Sequence, residues 1–142
     1  MPDDTLLGKS ETIERCVKRV EEVYAGTPAN LFDDLTKQDS ILLNLQRACK
    51  ATIGSAMHLV RTKRLGVPQE SRQAFELLME ADLLGEALGE RMIRMVGFRN
   101  IAIHEYRKLD LEIVRQIVEE RLSDLRDFAG WVIRRAMENY TA

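Results

Sequence analysis

Apolar residues recur at steps of three and four along nearly the whole chain, and this spacing constrains the fold more than any other feature of the sequence. Such spacing puts them on one face of an α-helix, whereas a half-buried strand needs strict alternation. The sequence has no alternating segment, no Asn-Gly hairpin signal, no internal repeat and no low-complexity stretch. It therefore predicts an all-α protein.

Glycine, proline and capping residues divide this pattern into about five predicted helices. Short connections between long amphipathic helices make them antiparallel neighbours, so we expect an up-and-down bundle. Long helices in a short chain also leave an apolar stripe uncovered, and we predict a homodimer whose interface includes the fourth helix around residues 92–103. The predicted helices begin at Ser10, at the capping box Thr36-x-x-Asp39, at Ser71, near Leu84 and at Asp110, and the last reaches about Arg135.

The length of 142 residues fits one domain over 1–142, with flexible tails expected over 1–9 and 138–142. No apolar run is long enough to span a membrane, and the acidic start lacks the features of a secretory signal. Cys16 and Cys49 lie in helical patterns without a CxxC or Cys/His partner, which is typical of buried thiols. We therefore predict a cytoplasmic protein without a metal site or cofactor.

The charge distribution is uneven. A net charge of −2 argues against broad nonspecific binding of nucleic acid. However, the segment from Arg91 to Lys108 holds five basic residues and one acidic residue, Glu105. A second basic patch contains Arg61, Lys63 and Arg64, and we interpret it as a solvated helix end.

The chain has two histidines, and only one of them lies among residues that suggest chemistry. His58 sits between Met57 and Leu59, so we interpret it as a packed helix residue. His104 follows Arg99 and Asn100 in the basic segment and precedes Tyr106. The familiar nucleotide-binding, hydrolase and metal motifs are absent from the sequence.

Helical geometry leaves the arrangement of these residues open. Arg99 continues the apolar stripe of Met92 and Met95, and a guanidinium buried without a partner is costly. Asn100 lies one turn before His104 and could orient its imidazole. Arg99 and His104 are separated by about 140° around an ideal helix. Either the helix unwinds near His104, or the two groups meet across a dimer axis. A buried arginine ion pair beside a core histidine is the structural alternative.

The segment Arg99-Asn100-x-x-x-His104-x-Tyr106 resembles the R-x4-H-x-Y motif of HepT proteins, a branch of the HEPN superfamily. Residues 44–48 and 95–100 also resemble the sequences usual in that family at those positions, and the resemblance extends over about 13–135. One departure is Phe98, where an aliphatic residue is more usual.

The resemblance implies a HEPN-like dimer that cleaves RNA without a metal, with Arg99 and His104 as catalytic residues. It implies a toxin paired with an MntA-like nucleotidyltransferase antitoxin, which would silence it by AMPylation of Tyr106. Two other functions stay open from the residues alone. The chain could be a non-catalytic nucleotide- or substrate-binding module that partners a nucleotidyltransferase, or a structural helical dimer.

Overall fold

The computed structural model describes the backbone of residues 1–104 and 110–138 and the side chains of 1–98 and 110–138. Within those residues the secondary structure is entirely helical, as the apolar spacing predicts. Seven helices are present there, in place of the five predicted. They are α1 (Asp4–Tyr24), α2 (Ala29–Phe32), α3 (Leu35–Thr62), α4 (Ser71–Glu80), α5 (Glu86–His104), α6 (Leu111–Glu120) and α7 (Leu122–Ala136).

Aspartates cap three of these helices, and two of the caps move a helix start from its predicted place. The Asp3 carboxylate accepts a hydrogen bond from the Leu6 N–H, so α1 begins six residues before Ser10. Leu6 is 1% exposed, and the prediction of a flexible tail over 1–9 is wrong from residue 4 onward. The Asp34 carboxylate accepts from the Lys37 N–H and starts α3, which displaces the predicted capping box. The Asp110 cap lies where the sequence predicts it.

The extra helices have different causes. The short helix α2 lies in the predicted connection after α1, which ends with Ala25 and Gly26 at positive φ. The predicted fifth helix is divided into α6 and α7 because Arg121 leaves the helical conformation at φ −120° and ψ −1°. Buried residues continue at helical spacing across this break, from Ile117 and Val118 to Leu122. The apolar pattern therefore could not reveal it.

The most extensively packed pairs of long helices run antiparallel, as predicted. Asp3 at the start of α1 bonds to His58 near the end of α3 and to the Ala136 carbonyl at the end of α7. The α5 and α7 helices are also antiparallel. Arg91 of α5 bonds to Asp124 near the start of α7, while Trp131, further along α7, donates to the carbonyl of Leu83, just before α5.

The core lies mainly between α1, α3 and α7 and is almost free of charge. Its hydroxyls are satisfied inside the bundle: Thr52 and Ser55 donate to carbonyls one turn earlier, and Ser10 donates to the Ala129 carbonyl. Cys16 and Cys49 are buried there, as predicted, and burial raises the pKa of the Cys16 thiol. Gly89 lets α4 approach α5 closely, because a Cβ at that position would overlap the Met79 side chain. No described helix is both long and apolar enough to cross a membrane.

Candidate functional site

The α5 helix carries three of the four predicted site residues. Arg99, Asn100 and His104 belong to its last turns. Their side chains lie outside the described part of the structure, and Tyr106 lies wholly outside it. The site is therefore built here from the helix that positions these residues and from the described side chains that precede them.

The two faces of α5 are sharply different. Met92, Met95 and Val96 are 0%, 4% and 2% exposed and pack into the bundle, whereas Glu90, Arg94 and Gly97 face solvent. Met92 and Met95 are therefore buried in the chain's own core. The prediction that this apolar stripe forms a dimer face is wrong for Met92, Met95 and Val96, because α3, α4 and α7 already cover them.

The helical register places Arg99 and His104 on opposite sides of α5. Position 99 continues the buried line of Met92 and Met95, while position 104 follows the exposed line of Gly97. The helix continues to His104, so it does not unwind between the two residues. An ideal helix of that length separates their Cα positions by about 140° and about 7.5 Å along the axis. The sequence left open either unwinding of the helix or a meeting of the two groups across a dimer axis. Unwinding between Arg99 and His104 is not observed in α5.

The basic segment that begins at Arg91 is less basic than its sequence suggests. Arg91 donates to Asp124 at 2.8 Å and to Asp127 at 3.0 Å, and these bonds tie α5 to α7. The hydrogen bond with the nearly buried Asp124 is the main reason that the pKa of Arg91 lies above its ordinary value. Arg94 instead remains 70% exposed, with only a distant contact of 3.9 Å to Glu90. Arg91 is therefore a structural brace, and Arg94 is the available cation.

A groove opens between α5 and the α6–α7 junction. The part of α5 that lines it lies directly before Arg99 in the sequence. It encloses a cavity of about 120 Å³. Three arginines and the Asp124 carboxylate border an apolar surface. Met95, Ile117 and the half-buried Phe98 contribute to that surface. We call this feature the α5 groove; its lining residues are Arg91, Arg94, Met95, Phe98, Ile117, Arg121 and Asp124.

Sequence reasoning missed the α5 groove and the Arg91 brace. The groove depends on the helix break at Arg121, which the apolar spacing does not record. A signal for the brace was available, since Asp124 interrupts the apolar stripe of the last helix beside Leu125 and is 6% exposed. A buried carboxylate needs a charged or hydrogen-bonding partner, and this requirement points to an arginine on a neighbouring helix.

Two other candidates for chemistry are occupied by structural contacts. His58 bonds through Nε2 to the Asp3 carboxylate at 2.7 Å, which confirms its interpretation as a packed helix residue. Tyr24 is 4% exposed and donates its hydroxyl to Glu119. Burial, followed by the hydrogen bond to Glu119, raises the pKa of Tyr24 to about 12. The second basic patch lies at the end of α3, where Lys63 pairs with Glu138, as expected of a solvated helix end.

An all-helical bundle whose fifth helix ends in Arg-x4-His has the fold and motif of HEPN proteins. Within that class, residues 13–130 match the family described as Ribonuclease HepT-like. The chain belongs to this family, as the resemblance of its motif predicts.

The similarity extends over nearly the full length of characterised relatives. The mRNA nuclease HepT of Shewanella oneidensis is 44% identical over 126 residues, which are 89% of this chain and 94% of that protein. A tri-AMPylated Shewanella oneidensis HEPN toxin, solved in complex with an MNT antitoxin, superimposes with a TM-score of 0.84 at 42% identity, covering 92% of this chain and 97% of that one. A toxin–antitoxin complex with AMP-PNP gives a TM-score of 0.85, also at 42% identity, with 92% and 98% coverage.

Proposed function

We propose that this protein is an endoribonuclease toxin of the HEPN type, cleaving RNA without a metal ion and paired with a nucleotidyltransferase antitoxin. The observation that carries the proposal is the motif Arg99-x4-His104-x-Tyr106, of which Arg99 and His104 belong to the last turns of α5, in a chain 44% identical to an mRNA nuclease. The complexes of similar toxins with their antitoxins support the partner.

RNA supplies its own nucleophile, and this determines what the protein must add. The 2′-OH of the substrate attacks the adjacent phosphorus, forming the 2′-O–P bond and breaking the P–O5′ bond. A histidine that titrates near neutrality takes the 2′-OH proton, and a second proton must be delivered to the leaving O5′. We assign this proton transfer to His104. Arg99, which stays charged, stabilises the extra negative charge on the phosphate oxygens.

Two copies of the chain would supply one histidine as the base and the other as the acid. The register of α5 supports this arrangement, because positions 99 and 104 lie on opposite sides of one continuous helix. Asn100, one turn before His104, would orient the imidazole. We therefore propose a homodimer joined near the C-terminal end of α5. Light scattering at micromolar concentration should give twice the chain mass, and a monomer under those conditions would contradict it.

The reaction is tested with matched substrates and a chelator. The purified protein should cleave single-stranded RNA equally well with and without EDTA and should leave DNA of the same sequence intact. The products should end in a 2′,3′-cyclic phosphate or its hydrolysed form. Arg99→Ala should remove cleavage while the helical circular dichroism spectrum stays unchanged. A requirement for magnesium, or equal cleavage of DNA, would disprove the mechanism. Nucleotide binding without any cleavage would favour the non-catalytic module.

We propose that the antitoxin silences the toxin by AMPylating Tyr106, two residues after His104. The tri-AMPylated state of a similar toxin supports this control. Of the other tyrosines, Tyr24 is unsuitable because its hydroxyl is buried and bonded to Glu119, whereas Tyr140 lies outside the described residues. An AMP at Tyr106 would place a phosphate near Arg99, where the substrate phosphate is expected.

Co-expression with an MntA-type nucleotidyltransferase tests this control. Intact mass should increase by whole AMP units, and peptide mapping should place them at Tyr106. Tyr106→Phe should escape silencing. Mapping of the AMP to Tyr24 or Tyr140, or a Tyr106→Phe protein that is still AMPylated and silenced, would contradict the assignment.

We also propose that 1–142 forms a single domain that acts in the cytoplasm. The hydrogen bond from the Asp3 N–H to the Ala136 carbonyl joins the first and last described helices and supports a single folding unit. Buried Cys16 and Cys49 thiols suit a reducing compartment. Loss of all helices in one cooperative thermal transition is the expected observation.

A further inference from the structure

We propose that the α5 groove is a binding subsite for one nucleotide of single-stranded RNA next to the cleaved bond, with Phe98 stacking on the base and Arg94 and Arg121 holding its phosphate. The inference rests on the proposed ribonuclease function and extends it to residues outside the R-x4-H-x-Y motif. It also gives a role to Phe98, which departs from the aliphatic residue usual in the family.

The charges of the groove favour an anion. Asp124 is the carboxylate that lines it, and this group is already neutralised by Arg91 at 2.8 Å. Arg91 in turn is shared with Asp127, so its positive charge is already balanced by these two carboxylates. Arg94 is 70% exposed, and within the described residues no carboxylate pairs with the exposed Arg121. Two guanidinium groups on opposite walls therefore remain available for a phosphate.

The apolar surface of the groove favours a base beside that phosphate. Phe98 is half-buried against the core and lines the cavity together with Met95 and Ile117. A site for a bare phosphate has no use for such a surface, whereas unpaired bases stack on aromatic side chains. The cavity of about 120 Å³ is smaller than the roughly 300–1,000 Å³ of small-molecule pockets. It suits one unit of a polymer that is also held elsewhere.

The groove also has the right position. Met95 precedes Arg99 by one turn of α5, and Phe98 directly precedes Arg99 in the sequence. One helical turn rises about 5.4 Å. A strand whose scissile phosphate contacts Arg99 therefore reaches the groove with the adjacent nucleotide.

The test measures binding apart from cleavage. All variants are made in the full-length His104→Ala protein, and a fluorescent single-stranded RNA of mixed sequence is titrated by anisotropy at several salt concentrations. Arg94→Ala and Arg121→Ala should each weaken binding and lower the slope of log Kd against log salt by about 0.7. Arg121→Lys should keep the slope, because it keeps the charge at the helix junction. Arg72→Ala is the matched control, since this exposed arginine of α4 is not among the residues that line the groove, and it should change neither quantity.

Phe98→Leu separates stacking from charge. It restores the aliphatic residue usual in the family and should weaken binding of single-stranded RNA about tenfold, with an unchanged salt slope. Duplex RNA, whose bases are already stacked, should bind this variant as it binds the parent protein.

Unchanged slopes for both alanine variants, or unchanged affinity for Phe98→Leu, would overturn the subsite. If those variants bind RNA normally but fail to bind the antitoxin, the groove is a protein-docking surface and the inference is also wrong. The proposed function fails separately, if the unmodified wild-type protein binds RNA through the groove but never cleaves it.

Discussion

The interface between α1 and α3 and the face of α5 that borders α6 and α7 use opposite physical means. Ile13 and Val17 of α1 and Ile41 of α3 are all 0% exposed. Across the other face, Arg91 is held by two carboxylates and Arg94 is left to solvent. Apolar burial therefore supplies most of the stability on one side, while the other side keeps charge available for a ligand. Mutations should separate these two roles.

The largest expected effect is the loss of catalysis when His104 is replaced. His104→Ala should lower the rate of RNA cleavage by about 1,000-fold, because general acid–base catalysis contributes roughly 10²–10⁴-fold. The unfolding midpoint should hardly change. His58→Ala is the matched control: it breaks the bond to Asp3 and should lower the thermal midpoint while the folded protein keeps its rate. Equal rate losses in the two variants would remove the distinction between the two regions.

Leu45 and Leu43 of α3 test the apolar side of the comparison. Leu45 is 1% exposed, and Leu45→Ala should reduce the free energy of unfolding by about 3 kcal/mol, through lost burial and an unfilled cavity. Leu43 is 45% exposed, and Leu43→Ala should cost about 0.5 kcal/mol or less. Chemical denaturation measures both. The folded fraction of Leu45→Ala should retain normal cleavage, and a rate loss per folded molecule would show that this interface also shapes the site.

Asp124 and Asp127 test whether the charged face also contributes to stability. The side chain of Asp124 is 9% exposed, so Asp124→Asn should destabilise the protein by about 2 kcal/mol by weakening a charged hydrogen bond to Arg91. Asp127 is 56% exposed, and Asp127→Asn should cost about 0.5 kcal/mol or less. Urea denaturation at pH 7 provides the comparison. Equal effects of the two substitutions would mean that burial of the brace is irrelevant.

Tyr24 gives the smallest effect, and one that depends on pH. Its pKa is about 12 in the folded protein, against an ordinary value near 10. Unfolded chains therefore lose this proton first, and the contribution of Tyr24 is complete below pH 10 and falls as the pH rises toward 12. At pH 11, one unit above the ordinary pKa, the loss should be about 1.4 kcal/mol. The difference in unfolding free energy between wild type and Tyr24→Phe isolates it from other alkaline titrations, and a difference independent of pH would contradict the raised pKa.

The sequence was informative about local features and silent about interactions between distant segments. Apolar spacing predicted the helices at Ser71 and Asp110 because burial has the helical period there. It could not locate the break at Arg121, since one residue outside helical geometry leaves the buried pattern intact. It also assigned Met92 and Met95 to a dimer face, because periodicity identifies a buried side without identifying what covers it. The roles of Arg99, His104 and Tyr106 remain predictions from a motif.

The brace formed by Arg91, Asp124 and Asp127 has a consequence for the entropy of binding. It fixes the separation of α5 and α7 during folding, so one wall of the groove is ordered before RNA arrives. A preorganised wall loses little conformational freedom when a ligand docks. Weakening the brace should therefore make RNA binding more unfavourable in entropy even where every contact to RNA is retained.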